Sequence, residues 1–174
     1  MKSTGVVRRI DELGRIVIPK EIRRSLGIRD GESLEISVSE DSVCLQKISK
    51  VLEFSDLAQR LCDNTKDTMQ LNVLITDRDK IIAEGLFDSE SAVKKELSNE
   101  LIQYIQNRET YISDSSETKH YFDTNTEGYF LIQPIITSMD SIGLIMFHKK
   151  KPYTSEEIAF SKFLANILIN KIDI

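Results

Sequence analysis

Six basic residues near the start of the chain could bind phosphate groups: Arg8, Arg9, Arg15, Lys20, Arg23 and Arg24. Residues 1–24 hold seven basic and three acidic side chains, a net charge of +4, whereas the whole chain of 174 residues carries −5. The other 150 residues therefore carry −9. Arginine and lysine held on one surface bind DNA largely by releasing the counterions of its phosphates. The contrast predicts a local phosphate-binding surface on an otherwise acidic protein.

Two strands and a short helix are expected to position this basic cluster. Residues 6–10 alternate like a strand, residues 11–14 supply a turn, and residues 15–18 are β-branched and extended. Pro19 suits the first turn of a helix and Gly27 its end, which predicts a helix over about residues 19–26. The three basic residues of that helix fall on the side opposite its apolar residues.

A second strand pair follows the helix. Alternation over residues 34–38, a turn at 40–42 and a return over 43–47 complete a β-β-α-β-β order. So few apolar side chains cannot build a core alone, because domains of this size are marginal without association. We therefore expect an intertwined dimer.

The basic segment resembles a known family of DNA-binding domains. Residues 5–28 read GVVRRIDELGRIVIPKEIRRSLGI, which closely resembles the AbrB-type swapped-hairpin domain over about residues 1–50. The resemblance implies a dimeric β-barrel in which hairpins are exchanged between chains. It also implies DNA contact by Arg8, Arg15, Arg23 and Arg24, each at a matching place in the motif, with Arg9 and Lys20 as further candidates.

The remaining residues are patterned as a second α+β domain. A helix over residues 51–70 lacks glycine and proline, and strands are expected at 72–76, 80–83, 129–136 and 142–147. A helix over 89–108 lies between the strand pairs. The terminal helix opens with Thr154-Ser155-Glu156-Glu157, the pattern of a capping box.

The whole chain also resembles the sporulation regulators of the AbrB type that continue through a helix into a GAF domain and assemble as tetramers. The resemblance implies an α+β fold with domains at residues 1–50, 51–70 (a connecting helix) and 71–174, the last a GAF-like antiparallel sheet with helices. A PAS domain is the alternative. The chain lacks the Asn-Lys-Phe-Asp-Glu motif of the GAF domains that bind cyclic nucleotides.

Self-association and an effector are the further partners that we expect. Dimers would form through residues 1–50 and tetramers through the helices at 51–70 and 154–172. The long polar segment 114–129 could cover a small effector against the sheet, with Tyr121, Phe122 and Tyr129 lining the pocket. The alternative is that these aromatic side chains belong to the core.

Several other classes of protein are disfavoured. The chain shows neither a secretory signal nor a membrane span, so we expect it in the cytoplasm, at the nucleoid when bound to DNA. His120 and His148 form no catalytic signature, and the two cysteines have no metal-ligand spacing, so we expect neither an enzyme nor a cofactor or metal. An antitoxin that binds its own operator is the rival function. Whether the protein activates or represses depends on where its sites lie.

Overall fold

The structure is a computed structural model. It describes residues 5–28, 30–31, 34–47, 51, 54–85, 91–121, 124–138 and 140–172, and at 120–121 and 124–125 it describes the backbone alone. The chain divides into two compact units, Met1–Ile48 and Ser49–Ile174, which we call the N-terminal and C-terminal units. The elements run in the order α1 (Lys20–Ser25), β1 (Leu34–Ser39), β2 (Ser42–Lys47), α2 (Ser55–Met69), β3 (Asn72–Thr76), β4 (Ile81–Gly85), α3 (Asn99–Asn107), β5 (Tyr111–Ile112), β6 (Glu117–Tyr121), β7 (Thr124–Ile136), β8 (Ser141–Lys149) and α4 (Ser155–Ile172).

The N-terminal unit contains α1 and one antiparallel hairpin. β1 pairs with β2 in a register that runs from Leu34 opposite Lys47 to Ser39 opposite Ser42. The hairpin confirms the strand pair that the alternation predicted after the helix. α1 begins directly after Pro19, as its sequence predicts.

The two arms before α1 differ from the expectation. Residues 6–10 and 15–18 are not strands within the single chain, and a hydrogen bond from Asp11 N to Arg15 O (3.0 Å) closes the turn between them. Their apolar side chains are exposed, Val7 by 85% and Val17 by 73%. The alternation predicted two strands, but a strand needs a neighbour for its backbone groups, and the described part of one chain supplies none here.

The C-terminal unit is built on an antiparallel sheet with strand order β4-β3-β8-β7-β5, and β6 pairs with β7 beside it. Helices α2 and α4 pack on one face, over a core that includes Val73, Leu131 and Phe147. Helix α3 packs on the other face, over a core that includes Leu101 and Phe130. Because both faces are covered, β3 and β8 are apolar almost throughout rather than alternating.

The outer edge of β4 is occupied by other parts of the chain. The side-chain amide of Gln59, on α2, donates to Glu84 O (2.7 Å) and accepts from Glu84 N (3.3 Å). Further along β4, Ile81 N donates to Lys95 O, and Lys94 N donates to Ile81 O. Unpaired strand edges favour association with other chains, so this cover protects the sheet.

The helix predicted over residues 89–108 is wrong in its first part, and the same contacts with β4 explain why. Of the described residues in that range, only Asn99–Asn107 is helical. The backbone groups at 94 and 95 bond to β4, so they are not available for helical hydrogen bonds. Ser98 then starts α3 by accepting a hydrogen bond from Leu101 N.

The polar connection expected between residues 114 and 129 is also largely a hairpin. Residues 117–121 form β6, which pairs with the first part of β7 from Glu117 opposite Gly128 to Tyr121 opposite Thr124. The sequence did not predict β6, because its side chains are mostly polar and give no hydrophobic periodicity.

The expected capping box begins α4. Glu157 N donates to Thr154 Oγ1 (3.4 Å), and Thr154 N donates to the Glu157 carboxylate (2.8 Å). Glu157 also pairs with Lys149 at the end of β8, which ties the helix start to the sheet. None of the helices in the described residues is long and apolar enough to cross a membrane.

Replacing Thr154 with alanine should lower the free energy of unfolding by about 1 kcal/mol, because the first turn of α4 loses its side-chain acceptor. Chemical denaturation of the full chain measures the loss. Thr154→Ser keeps the hydroxyl and should stay within a few tenths of a kcal/mol of the parent. Equal losses in the two variants would mean that the cap contributes nothing.

Candidate nucleic-acid interface

A locally determined turn joins the two arms of the N-terminal unit. Gly14 N donates to Asp11 O (2.9 Å), and Gly14 has the positive φ of 76° that glycine adopts without strain. The Asp11 carboxylate accepts from Leu13 N (3.0 Å) and Arg15 N (2.8 Å). Aspartate commonly closes a turn in this way, so four neighbouring residues fix the conformation.

Arg15 extends from this turn with its guanidinium already oriented. Its Nε donates to Asp11 Oδ2 at 2.8 Å, while the side chain as a whole is 72% exposed. The hydrogen bonds that Asp11 accepts, first those from Arg15, hold the pKa of its carboxyl below the ordinary value. The carboxylate therefore stays charged at neutral pH.

Helix α1 presents the next basic residues and ends in a tight glycine cap. Gly27 N donates to Arg24 O (3.2 Å) and Ile28 N to Arg23 O (2.8 Å), with Gly27 at φ 62°. This pair of hydrogen bonds is the Schellman motif. Lys20 and Arg24 lie four residues apart, so they share one exposed face of the helix.

Arg23 is placed differently from its neighbour Arg24. Its Nη1 donates to Asp30 at 2.6 Å, and its Nε is buried with no hydrogen-bond partner among the described residues. Arg24 is exposed. Arg23 therefore holds the segment after α1, whereas Arg24 is turned to solvent.

The predicted DNA contacts thus fall into two groups. Within the described residues, Arg15 and Arg23 each pair with an aspartate, while the other four candidates make no ion pair. Those four are exposed: Arg8, Arg9, Lys20 and Arg24. The pairing with Asp11 and Asp30 was not foreseen from sequence, although both acids lie within seven residues of their arginine.

The N-terminal unit also exposes most of its apolar side chains. Pro19 is its only buried residue among those that the structure describes. The large apolar side chains exposed in this unit are Val6, Val7, Ile10, Leu13, Ile16, Val17, Leu26, Ile36, Val38, Val43 and Leu45. In the described part of the C-terminal unit only Ile112 and Phe163 are exposed in this way. Such an apolar surface marks an association site.

The predicted effector pocket is described only in part. Phe122 and the side chain of Tyr121 lie outside the described residues. Tyr129 is half-buried, and strand alternation places it on the same face as Leu131, which packs under α2 and α4. Its backbone O accepts from the Tyr153 hydroxyl (3.3 Å).

A polar cluster that sequence reasoning missed lies beside α3. Lys119 Nζ donates to Glu100 Oε1 (2.6 Å), and the Tyr111 hydroxyl donates to Glu117 Oε1 (2.6 Å). Burial, and then the bond to Glu117, raise the pKa of Tyr111 to about 12. The alternation of Glu117 and Lys119 on β6 was the available signal. No three His, Cys, Asp or Glu side chains gather as a metal site among the residues described.

Comparison with known families covers both units. Residues 53–173 match the family described as "Stage V sporulation protein T C-terminal, transcription factor". Residues 7–53 match "Antidote-toxin recognition MazE, bacterial antitoxin".

Two proteins of Bacillus subtilis (strain 168) are clearly similar to this chain. It is 37% identical to "Stage V sporulation protein T" over 153 residues, 86% of each chain. It is 57% identical to "Transition state regulatory protein AbrB" over 47 residues, 27% of this chain and 49% of that protein. The second match confirms the resemblance on which the N-terminal prediction depended.

Solved structures confirm the fold of the C-terminal unit. A GAF domain of the nutrient sensor CodY from Clostridium difficile is 15% identical, with a TM-score of 0.50 over 66% of this chain and 83% of that one. The Thermosynechococcus elongatus PixJ GAF domain is 14% identical, with a TM-score of 0.54 over 72% of this chain and 88% of that one. At this identity they show the fold alone, and of the two folds considered it is GAF.

The family is one of transcription factors, which agrees with the expectation that the chain is not an enzyme. The chain belongs to the stage V sporulation protein T family of transcription factors, with an AbrB-type N-terminal domain followed by a GAF-like domain.

Proposed function

We propose that this chain is a sequence-specific DNA-binding regulator of genes expressed during sporulation, acting in the cytoplasm and at the nucleoid. Residues 1–50 bind double-stranded DNA, and residues 71–174 regulate or assemble the protein. Residues 51–70, which include helix α2, connect these two domains. The proposal rests mainly on the exposed basic side chains of the N-terminal unit, which lie in a segment 57% identical to a transition state regulator. The name of the longer relative supports the sporulation role.

DNA contact is assigned to Arg8, Arg15 and Arg24, with Arg9 and Lys20 adding phosphate contacts. Arg23 joins them at the end of α1, where the exchange of Asp30 for a phosphate would free its guanidinium. Arginine suits both roles, because its planar fork binds two acceptors at once, on phosphate or on a guanine edge.

Dimerisation through residues 1–50 is supported by the exposed apolar side chains of the N-terminal unit. A second copy that pairs with the arms 6–10 and 15–18 would cover these side chains and supply the missing strand neighbours. A two-fold dimer should then prefer pseudo-symmetric DNA sites.

Tetramer assembly through α2 and α4 is the finer part of the proposal. Phe163 on α4 is 58% exposed, and it stacks obliquely with Phe160 at 6.5 Å between ring centres. Phe160 is half-buried against the core, so it is the exposed ring of Phe163 on the terminal helix that favours contact with another chain. Light scattering should give four chains per particle at micromolar concentration, and a dimer would contradict this step.

An effector, if it binds the GAF-like domain, must favour one arrangement of the dimers, since a ligand shifts an equilibrium only by its difference in affinity. Tyr121, Phe122 and Tyr129 remain the proposed lining. A screen of amino acids and nucleotides that changes DNA affinity would support sensing. Unchanged affinity throughout would leave the domain as an assembly scaffold.

The antitoxin match over residues 7–53 favours a second candidate, a protein that binds its operator and a toxic partner.

Sequencing of the genomic fragments retained by the purified full chain tests the main proposal. A small set of enriched fragments sharing a pseudo-symmetric motif across many promoters is expected. Enrichment of one promoter only, together with copurification of a small protein, would favour the antitoxin instead.

A further inference from the structure

The Asp11 carboxylate has two different sets of hydrogen bonds. Oδ1 accepts from the backbone N–H groups of Leu13 and Arg15, which shape the turn. Oδ2 accepts from the side chain of Arg15 at 2.8 Å. One oxygen therefore holds the backbone, and the other holds a guanidinium.

This acid lies where a negative charge is unfavourable for DNA binding. It belongs to the segment with net charge +4, four residues from Arg15 and three from Arg8. Coulomb repulsion between a carboxylate and DNA phosphates weakens association. The turn needs only Oδ1 of Asp11, so the contact of Oδ2 with Arg15 is the one that could offset this repulsion.

The contact leaves the binding edge of Arg15 available. A guanidinium carries five N–H donors, of which Nε uses one on Asp11. The four Nη donors have no hydrogen-bond partner among the described residues, and the side chain is mostly exposed. A long side chain loses rotamer freedom when it binds, and one that is already oriented loses less.

We propose that Asp11 is a positioning residue for DNA recognition, which holds Arg15 by Nε so that its two Nη groups face a pair of acceptor atoms on DNA. This inference rests on the proposed function, in which Arg15 contacts DNA. The acceptor pair is either a guanine edge or a phosphate. Positioning on guanine affects sequence selectivity, whereas positioning on phosphate affects all duplexes alike.

The test is Asp11→Asn in the full chain. Asparagine keeps the Oδ1 acceptor that closes the turn, replaces Oδ2 with an NH₂ group that cannot accept from Nε, and removes the negative charge. Charge alone predicts tighter binding to every duplex. Positioning predicts that affinity for a duplex enriched in the genomic selection falls by about 10-fold, while affinity for a scrambled duplex of equal length does not fall if the target is guanine.

Asp41→Asn is the matched control, since Asp41 is an exposed acid in the turn between β1 and β2. It removes the same charge and should not weaken binding. In an Arg15→Ala background, Asp11→Asn should lose its effect, because no guanidinium remains to be held.

Three results would overturn the inference. If Asp11→Asn binds the enriched duplex as tightly as the parent while Arg15→Ala weakens binding, Asp11 has no positioning role and the proposed function stands. If Arg15→Ala itself changes nothing, the DNA role of Arg15 fails together with the inference. If Asp11→Asn weakens binding equally with and without Arg15, the residue acts on the fold, and circular dichroism should show the loss.

Discussion

Replacing Arg23 and Arg24 together with alanine should lower the affinity of the full chain for its DNA site by about 100-fold or more. A good arginine contact to a base edge is worth roughly 1–3 kcal/mol, a phosphate contact adds affinity through counterion release, and a dimer loses every contact twice. Arg24 contributes as an exposed donor at the end of α1. Arg23 contributes once DNA replaces Asp30 as the partner of its guanidinium.

The control is Lys150→Ala with Lys151→Ala, a pair of adjacent exposed lysines after β8. It removes the same two charges from the C-terminal unit and should change affinity by less than about 3-fold, because long-range charge effects are screened at physiological salt. Equilibrium titration of a labelled duplex measures both variants. Equal losses in the two would mean that net charge, and not the surface of α1, controls binding.

Replacing Gly143 with alanine should destabilise the C-terminal unit by about 3 kcal/mol or more, at the upper end of what overpacking costs. A Cβ at this position of β8 would lie 2.0 Å from Thr76 O and 3.1 Å from Asp77 Cα. Both are backbone atoms of the neighbouring strand and turn, so no side chain can move aside. β3 and β8 would therefore have to move apart.

Chemical denaturation followed by circular dichroism measures the destabilisation. Ser138→Ala, at an exposed position in the connection between β7 and β8, is the control and should stay within about 0.5 kcal/mol of the parent. A Gly143→Ala protein as stable as the parent would show that β3 and β8 are not packed as closely as described.

Features set by neighbouring residues were predictable from sequence. The turn around Gly14, the cap at Gly27 and the capping box at Thr154 each depend on contacts within about five residues. The apolar strands β3 and β8 were predictable because burial on both faces leaves a continuous apolar run.

Features set by contacts between residues more than about five positions apart were not predictable in this way. Residues 94 and 95 are held out of a helix by β4, and β6 exists because β7 pairs with it. The pairing of Arg23 with Asp30 joins side chains seven residues apart in the chain. A sequence read alone does not show which partner a backbone or charged group will find across such separations.

Binding of genomic fragments at about 50 and about 200 mM salt tests the central claim most directly. The full chain would be compared with Arg8→Ala, Arg15→Ala and the double Arg23→Ala, Arg24→Ala variant. We predict that the parent retains selected fragments, that salt weakens this binding steeply, and that the variants lose it. Binding that is absent, or that all three changes leave untouched, would contradict the assignment of the N-terminal basic surface to DNA.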